Sequence, residues 1–162
     1  MHMEIERKFL INTQRLPRKP RGKHCVQGYL CTGKGVTTRV RIMGKQGFLT
    51  IKGKTKNFSK PEYEYEIPKT EAHEILHTLC VQPLIEKIRY QITVTGAIWI
   101  IDEFLGENKG LVLAEIELQS EDQPIILPDW VETEVTGDPR YYNVQLVENP
   151  YSKWNKENGQ NG

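Results

Sequence analysis

The sequence predicts a mainly β fold of the α+β class, and three observations carry that prediction. Eight short segments alternate charged or polar residues with apolar ones at period two, as strands do when their two faces meet different surroundings. Glycine-containing steps separate several of them, which suits antiparallel hairpins. Only two short stretches show helical spacing.

In chain order the expected strands are residues 3–11, 24–32, 36–43, 48–53, 62–68, 84–95, 97–105 and 111–119. Turns are expected at Gly33-Lys34-Gly35, Gly44 to Gly47, Thr95-Gly96 and Gly106 to Gly110. After the fifth strand, Thr70 is expected to cap a helix running to about Cys80, with Ile75, Leu76 and Leu79 on its apolar face. A second helix is expected after Asp138-Pro139, including Tyr142, Val144, Leu146 and Val147, and both helices would cover the outside of a curved sheet. Residues 153–162 are polar and read as a frayed tail, leaving 1–152 as one domain without internal repeats.

At 162 residues the chain can bury roughly two-thirds of its surface in a single core. Its 22 Lys and Arg against 21 Asp and Glu leave a net charge of +1, so nothing in the total points to a broad nucleic-acid surface or an acidic tail, and any electrostatic function must come from local arrangement. Cys25, Cys31 and Cys80 are odd in number and lack a CxxC spacing, so free thiols in a reducing, cytoplasmic setting are expected. No secretory signal is read, and no apolar run approaches the roughly 20 residues that would span a bilayer.

The alternation places charge where a strand face is usually apolar. Glu4, Glu6 and Lys8 share one face of the first segment, and Ile5, Arg7 and Phe9 the other. Arg39 with Arg41, Thr50 with Lys52, Glu62 with Glu64 and Glu66, Lys87 with Arg89, and Glu115 with Glu117 repeat the pattern, while Asp102 sits in an apolar-rich segment. Two arrangements satisfy this parity. One is a sandwich that turns the charges to water, the usual fate of charged strand faces; the other is a barrel that turns them inward. Enclosed charges are costly unless paired, hydrated or coordinating a ligand, so a charged interior has to be wet and functional. The set comprises seven carboxylates (Glu4, Glu6, Glu62, Glu64, Asp102, Glu115, Glu117) and six cations (Lys8, Arg39, Arg41, Lys52, Lys87, Arg89). Carboxylates suit Mg²⁺ or Mn²⁺, and guanidinium and ammonium groups suit phosphate oxygens. Phosphoryl transfer requires little beyond such positioning and neutralisation.

Specific motifs follow one another in order over residues 3–147. Glu4-Ile5-Glu6-Arg7-Lys8 forms ExExK, followed by QGYL at 27–30, TRVR at 38–41, LTIKG at 49–53 and EYEYEIP at 62–68. EKIRY at 86–90, Asp102 before Phe104, AEIEL at 114–118 and DPRYYN at 138–143 complete the series. On these residues the chain resembles the CYTH superfamily, the triphosphate tunnel metalloenzymes. The resemblance implies a closed eight-stranded antiparallel β-barrel, a tunnel with helices packed on its outside, that binds a triphosphate-containing small molecule along its axis. It implies Mg²⁺ or Mn²⁺ held by Glu4, Glu6, Asp102, Glu115 and Glu117, and phosphate contacts from Lys8, Arg39, Arg41, Lys52, Lys87 and Arg89. Lys8, Glu62 and Glu64 are the implied catalytic positions, the two acids orienting a water or a basic side chain. The implied reaction is hydrolysis of inorganic triphosphate, or of an organic or nucleoside triphosphate. A class IV-type adenylate cyclase making cyclic AMP and diphosphate in the same tunnel is the alternative, and a non-catalytic polyphosphate or nucleotide binder is a third. The family often carries Arg where this chain has Lys60, so a phosphate contact there would lack the bidentate fork. Glu66 is expected at the rim. A homodimer is possible, and neither nucleic acid nor membrane is an expected partner.

Other signals have simpler explanations. His73-Glu74-Ile75-Leu76-His77 matches the zinc-protease HExxH, but it lies on a short amphipathic helix with no third ligand in view. The basic stretch from Arg15 to Lys23 lacks interleaved aromatics and reads as a solvated loop. Trp99 and Trp130 read as packing residues, and Glu132 with Glu134 as a solvated edge.

Overall fold

The computed structural model describes residues 2–33 and 35–157. Its strands are β1 (Met3–Ile11), β2 (Lys23–Gly33), β3 (Val36–Met43), β4 (Gln46–Lys52), β5 (Ser59–Ile67), β6 (Ile85–Val94), β7 (Ala97–Phe104), β8 (Val112–Glu117) and β9 (Val131–Glu134). Its helices are α1 (Lys69–Thr78), α2 (Asn143–Glu148) and α3 (Tyr151–Glu157).

Eight strands pair antiparallel in the order β5-β4-β3-β2-β6-β7-β8-β1, and β1 returns to β5 through Met3↔Pro61, Glu4↔Lys60 and Ile5↔Ser59. The barrel is therefore closed, which decides between the two arrangements the alternation allowed. On that same edge β1 leaves β5 and pairs with β9 at Phe9↔Glu134 and Ile11↔Val131. This ninth strand was not among the expected ones, because only its first residue is apolar. Between β6 and β7, Thr95 and Gly96 both have positive φ, 47° and 78°, as a two-residue type I′ hairpin requires.

Along the inner face the chemistry changes with depth. β1 reads Glu4, Glu6, Lys8, Leu10, while β8 read backwards gives Glu117, Glu115, Leu113 and β6 gives Arg89, Lys87, Ile85. One end is thus charged. The other is filled by Tyr29, Ile85, Phe104 and Leu113, packed with Tyr141, Leu146 and Val147 from the C-terminal segment. α2 accordingly caps one end of the barrel, where a position on the outer wall had been expected.

α1 does cover the outer wall. Ala72 and Leu76 bury against Val40, Ile42, Leu49 and Ile67 on β3, β4 and β5. Gly47 allows this approach, since a Cβ there would lie 2.8 Å from the Ala72 Cβ. Two expectations for α1 need correction. Pro68, not Thr70, occupies the N-cap position, because proline's fixed φ suits a helix entry. Leu79 lies beyond the last turn and is 65% exposed, so Ala72 takes the inward place instead.

The remaining outer wall packs Phe9, Ile92, Trp99, Ile101 and Ile116 against Trp130, whose ring meets Trp99 edge-on at 5.3 Å. Both tryptophans are core residues. Glu132 is exposed, and Glu134 forms a partly solvated fork with Arg7. Residues 153–157 of the expected tail are helical, whereas 158–162 lie outside the described residues. Cys25 and Cys80 are buried free thiols, and the Cys31 side chain lies outside the described ones. Among the described residues no helix is long and apolar enough to cross a membrane.

Candidate active site

The charged part of the barrel encloses a cavity of about 940 Å³, within the range of small-molecule sites. Every member of the alternating set except Asp102 lines it.

Deepest lies a cationic floor. Lys87 is 1% exposed and donates to Asp102 Oδ2 at 2.8 Å and to Asn143 Oδ1 at 3.1 Å. Arg89 forks onto the same carboxylate, Nε to Oδ1 and Nη2 to Oδ2, both at 2.7 Å. Burial alone would push the Asp102 carboxyl up, but Lys87 and Arg89 outweigh it and hold the group well below the usual carboxylate range. Burial pulls Lys87 down in spite of that partner. In the metal-free barrel both Asp102 oxygens accept from these cations beneath the cavity, where the carboxylate anchors Lys87 and Arg89.

Above the floor, Arg39 and Arg41 project from β3. Their Nη2 atoms share Glu64 Oε2, each at 3.2 Å, and Thr50 Oγ1 donates to the same oxygen at 2.8 Å. Glu64 thereby orients two guanidinium groups at once. Among the described residues both Nε atoms are buried without a partner, a condition that is costly for a guanidinium donor. Burial, then Arg39 and Arg89 nearby, lowers Arg41 to about 10. Opposite, Lys8 Nζ lies 3.3 Å from Glu115 Oε1; burial opposes its charge, yet Glu115 and Glu6 raise it overall.

Nearer the mouth stand the acids. Glu6 and Glu117 are direct cross-strand partners, a like-charge pairing that costs stability unless a cation compensates it. Glu4 accepts Lys52 Nζ at 3.1 and 2.9 Å, and Lys60 Nζ lies 3.3 Å from Glu4 and 3.5 Å from Glu6. Burial favours protonated Glu4, but Lys52 and Lys60 outweigh it and lower the group to about 2. Burial and a hydrogen bond with Glu4 raise Glu62 to about 7. Burial, then Glu4 and Glu6, raises Glu117 as well. A group of acids that disfavour one another's charge fits a hard divalent cation. As placed, no three His, Cys, Asp or Glu side chains among the described residues converge to hold an ion. The Lys52 and Lys60 ammonium groups stand among the acids instead.

The sequence matches the CYTH domain over residues 2–142. The chain belongs to the CYTH family. A relative from Acetivibrio thermocellus named inorganic triphosphatase is 49% identical over 154 residues, covering 95% of this chain and 99% of that protein. A crystal structure of an inorganic triphosphatase superposes with a TM-score of 0.65 at 35% identity, covering 91% of this chain and 95% of the other. A solved structure from Bacillus halodurans with an adenylate cyclase name has a TM-score of 0.59 at 17% identity, covering 75% and 84% of the two chains, and so shares the fold alone.

In this CYTH protein the barrel brings together all the residues singled out from the sequence apart from Asp102, which lies one step behind them. Three further side chains join the site. Lys60 is an inner-wall residue because β5 begins at Ser59, earlier than expected; Pro61 had hidden the strand start, although Lys60 shares the parity of Glu62 and Glu64. Thr50 is fully buried on that same parity. Asn143, the last residue of the DPRYYN motif, reaches Lys87 from the start of α2, a contact that the motif did not specify. Glu66 stays exposed and bonds Gln46. His73 and His77 sit exposed on α1 with rings 4.3 Å apart, and among the described residues no third ligand joins them.

Proposed function

We propose that this protein is a divalent-metal-dependent triphosphatase acting on inorganic triphosphate. The observation that carries this reading is the two-tier charged cavity itself, lined by Lys8, Arg39, Arg41 and Arg89 on one side and by Glu4, Glu6 and Glu117 on the other. Clustered cations of this kind suit a multivalent anion, and the triphosphatase names of close relatives support the same substrate.

Lys8, Arg39, Arg41 and Arg89 would bind the phosphate oxygens and neutralise charge that grows in the transition state. Lys87 and Arg89 are fixed by Asp102, and the two β3 guanidinium groups by Glu64, so the cations need no reorganisation when substrate enters. Glu4, Glu6 and Glu117, with Glu115 at the boundary of the two tiers, would hold Mg²⁺ or Mn²⁺. That ion would supply charge neutralisation and activation of the attacking water. Glu62, which lines the cavity beside Glu4, would orient that water. A cytoplasmic setting is proposed with it, supported by the free thiols of Cys25 and Cys80.

The test is phosphate release from inorganic triphosphate, ATP and thiamine triphosphate under Mg²⁺ or Mn²⁺, with products separated by chromatography. Orthophosphate and diphosphate from inorganic triphosphate are expected. Cyclic AMP from ATP would establish the cyclase reading instead, and tight binding without turnover would establish the non-catalytic one.

A further inference from the structure

In the metal-free barrel Lys60 is engaged with acids and not with the cationic tier. Its register partner across the barrel seam is Glu4, and its ammonium group lies between Glu4 and Glu6, 3.3 and 3.5 Å away. Lys52, by contrast, also stands in the field of Arg39, at the border of the cationic tier. The four acids nearest the mouth come from three strands, and Glu6 faces Glu117 directly. Without an interior cation these carboxylates would repel across the short seam on which barrel closure depends.

Resting on the metal-dependent reading above, we propose that Lys60 is a built-in counter-ion that holds the divalent cation's place among Glu4 and Glu6 in the metal-free protein and swings away when metal enters. A divalent ion and an ammonium group cannot share the same few ångströms, since their repulsion there is stronger than solvent can screen. Lys60 therefore stabilises the empty barrel and weakens metal binding. When it moves, bound triphosphate offers its ammonium group a new acceptor. Metal and substrate consequently favour each other's binding, by the reciprocity of linked equilibria.

The experiment compares wild type, Lys60→Met and Lys60→Arg without substrate, reading Mn²⁺ affinity by calorimetry and melting temperature in chelator. Lys60→Met should bind Mn²⁺ at least about tenfold more tightly, melt lower in chelator, and gain more from Mn²⁺ than wild type does. Lys60→Arg should follow wild type. Unchanged or weaker Mn²⁺ binding by Lys60→Met overturns the proposal. A second measurement needs no folded neutral variant: in the wild-type protein, the lysine ¹³Cε signal assigned to Lys60 should shift on Mg²⁺ titration, and a signal unmoved at saturating Mg²⁺ is equally decisive against it. The two readings separate cleanly. Phosphate release with metal affinity insensitive to Lys60 retires the counter-ion alone, whereas wild type that neither binds Mn²⁺ nor releases phosphate retires the triphosphatase reading with it.

Discussion

Asp102 offers the sharpest test of the site as built. It is 1% exposed and accepts three charge-assisted hydrogen bonds of 2.7 to 2.8 Å from Lys87 and Arg89. Asp102→Asn keeps the shape and removes the charge, leaving two buried cations against a neutral amide. Breaking a buried pair in this way costs about 3–5 kcal/mol. For a domain of this size each kcal/mol lowers Tm by about 2–4 °C, so a fall of roughly 10 °C is expected. Because the carboxyl is held far below its ordinary range, the folded-state pKa is depressed; its contribution is fully present above the unfolded value and is lost only as pH falls through the folded one. The penalty should accordingly be the same across neutral pH. Thermal melts with chelator and with excess Mn²⁺ decide the matter. A structural anchor shows the drop equally in both, with a fall in kcat as the floor cations lose their orientation. A chelator Tm within about 2 °C of wild type, with a loss confined to Mn²⁺ affinity, would refute the anchor and restore Asp102 as a metal ligand.

Three further outcomes are expected. Glu62 is raised from 4.5 to about 7, so in the metal-free fold it retains a proton that the unfolded chain has released; stability in chelator should fall as pH rises from 4.5 through about 7. Glu62→Gln should flatten that slope, measured by urea midpoints at about pH 5 and about pH 8. Arg41→Lys keeps the charge but surrenders the planar donor set bonded to Glu64, and should cut kcat/KM for triphosphate about 10- to 100-fold with Tm little changed. Leu146→Ala hollows the apolar plug, where Leu146 is fully buried, and should cost about 2–5 kcal/mol in denaturant unfolding while leaving the charged tier in place.

Much of the site could be read in the sequence because a strand's parity is a local property. Once Glu4, Glu6 and Lys8 were known to share a face, closure of the sheet carried them and their counterparts into one cavity. Asp102 shows where this reasoning ends: parity places a residue on a face, but it does not say at what depth or beside which partner. Asp102 lies one layer below the other acids, directly across from Arg89 on the neighbouring strand. Lys60 was legible only as a position of the family pattern, since Pro61 beside it disguised a strand residue as part of a loop. Asn143 closes the DPRYYN motif, but it reaches the floor from a different part of the chain, and no local pattern could have announced its contact with Lys87.

By itself the sequence determined the antiparallel β architecture, the family and the roster of ionisable residues, all of which follow from alternation, turn chemistry and ordered motifs along a single chain. Tertiary structure alone decided that one end of the barrel is sealed by α2 and its apolar plug, that Asp102 anchors cations, and that two lysines stand among the acids at the mouth. The physical reason is that stagger between strands sets depth. Depth sets which charges meet, and the energy of a buried charge depends on its neighbours in space and not on those beside it in the chain.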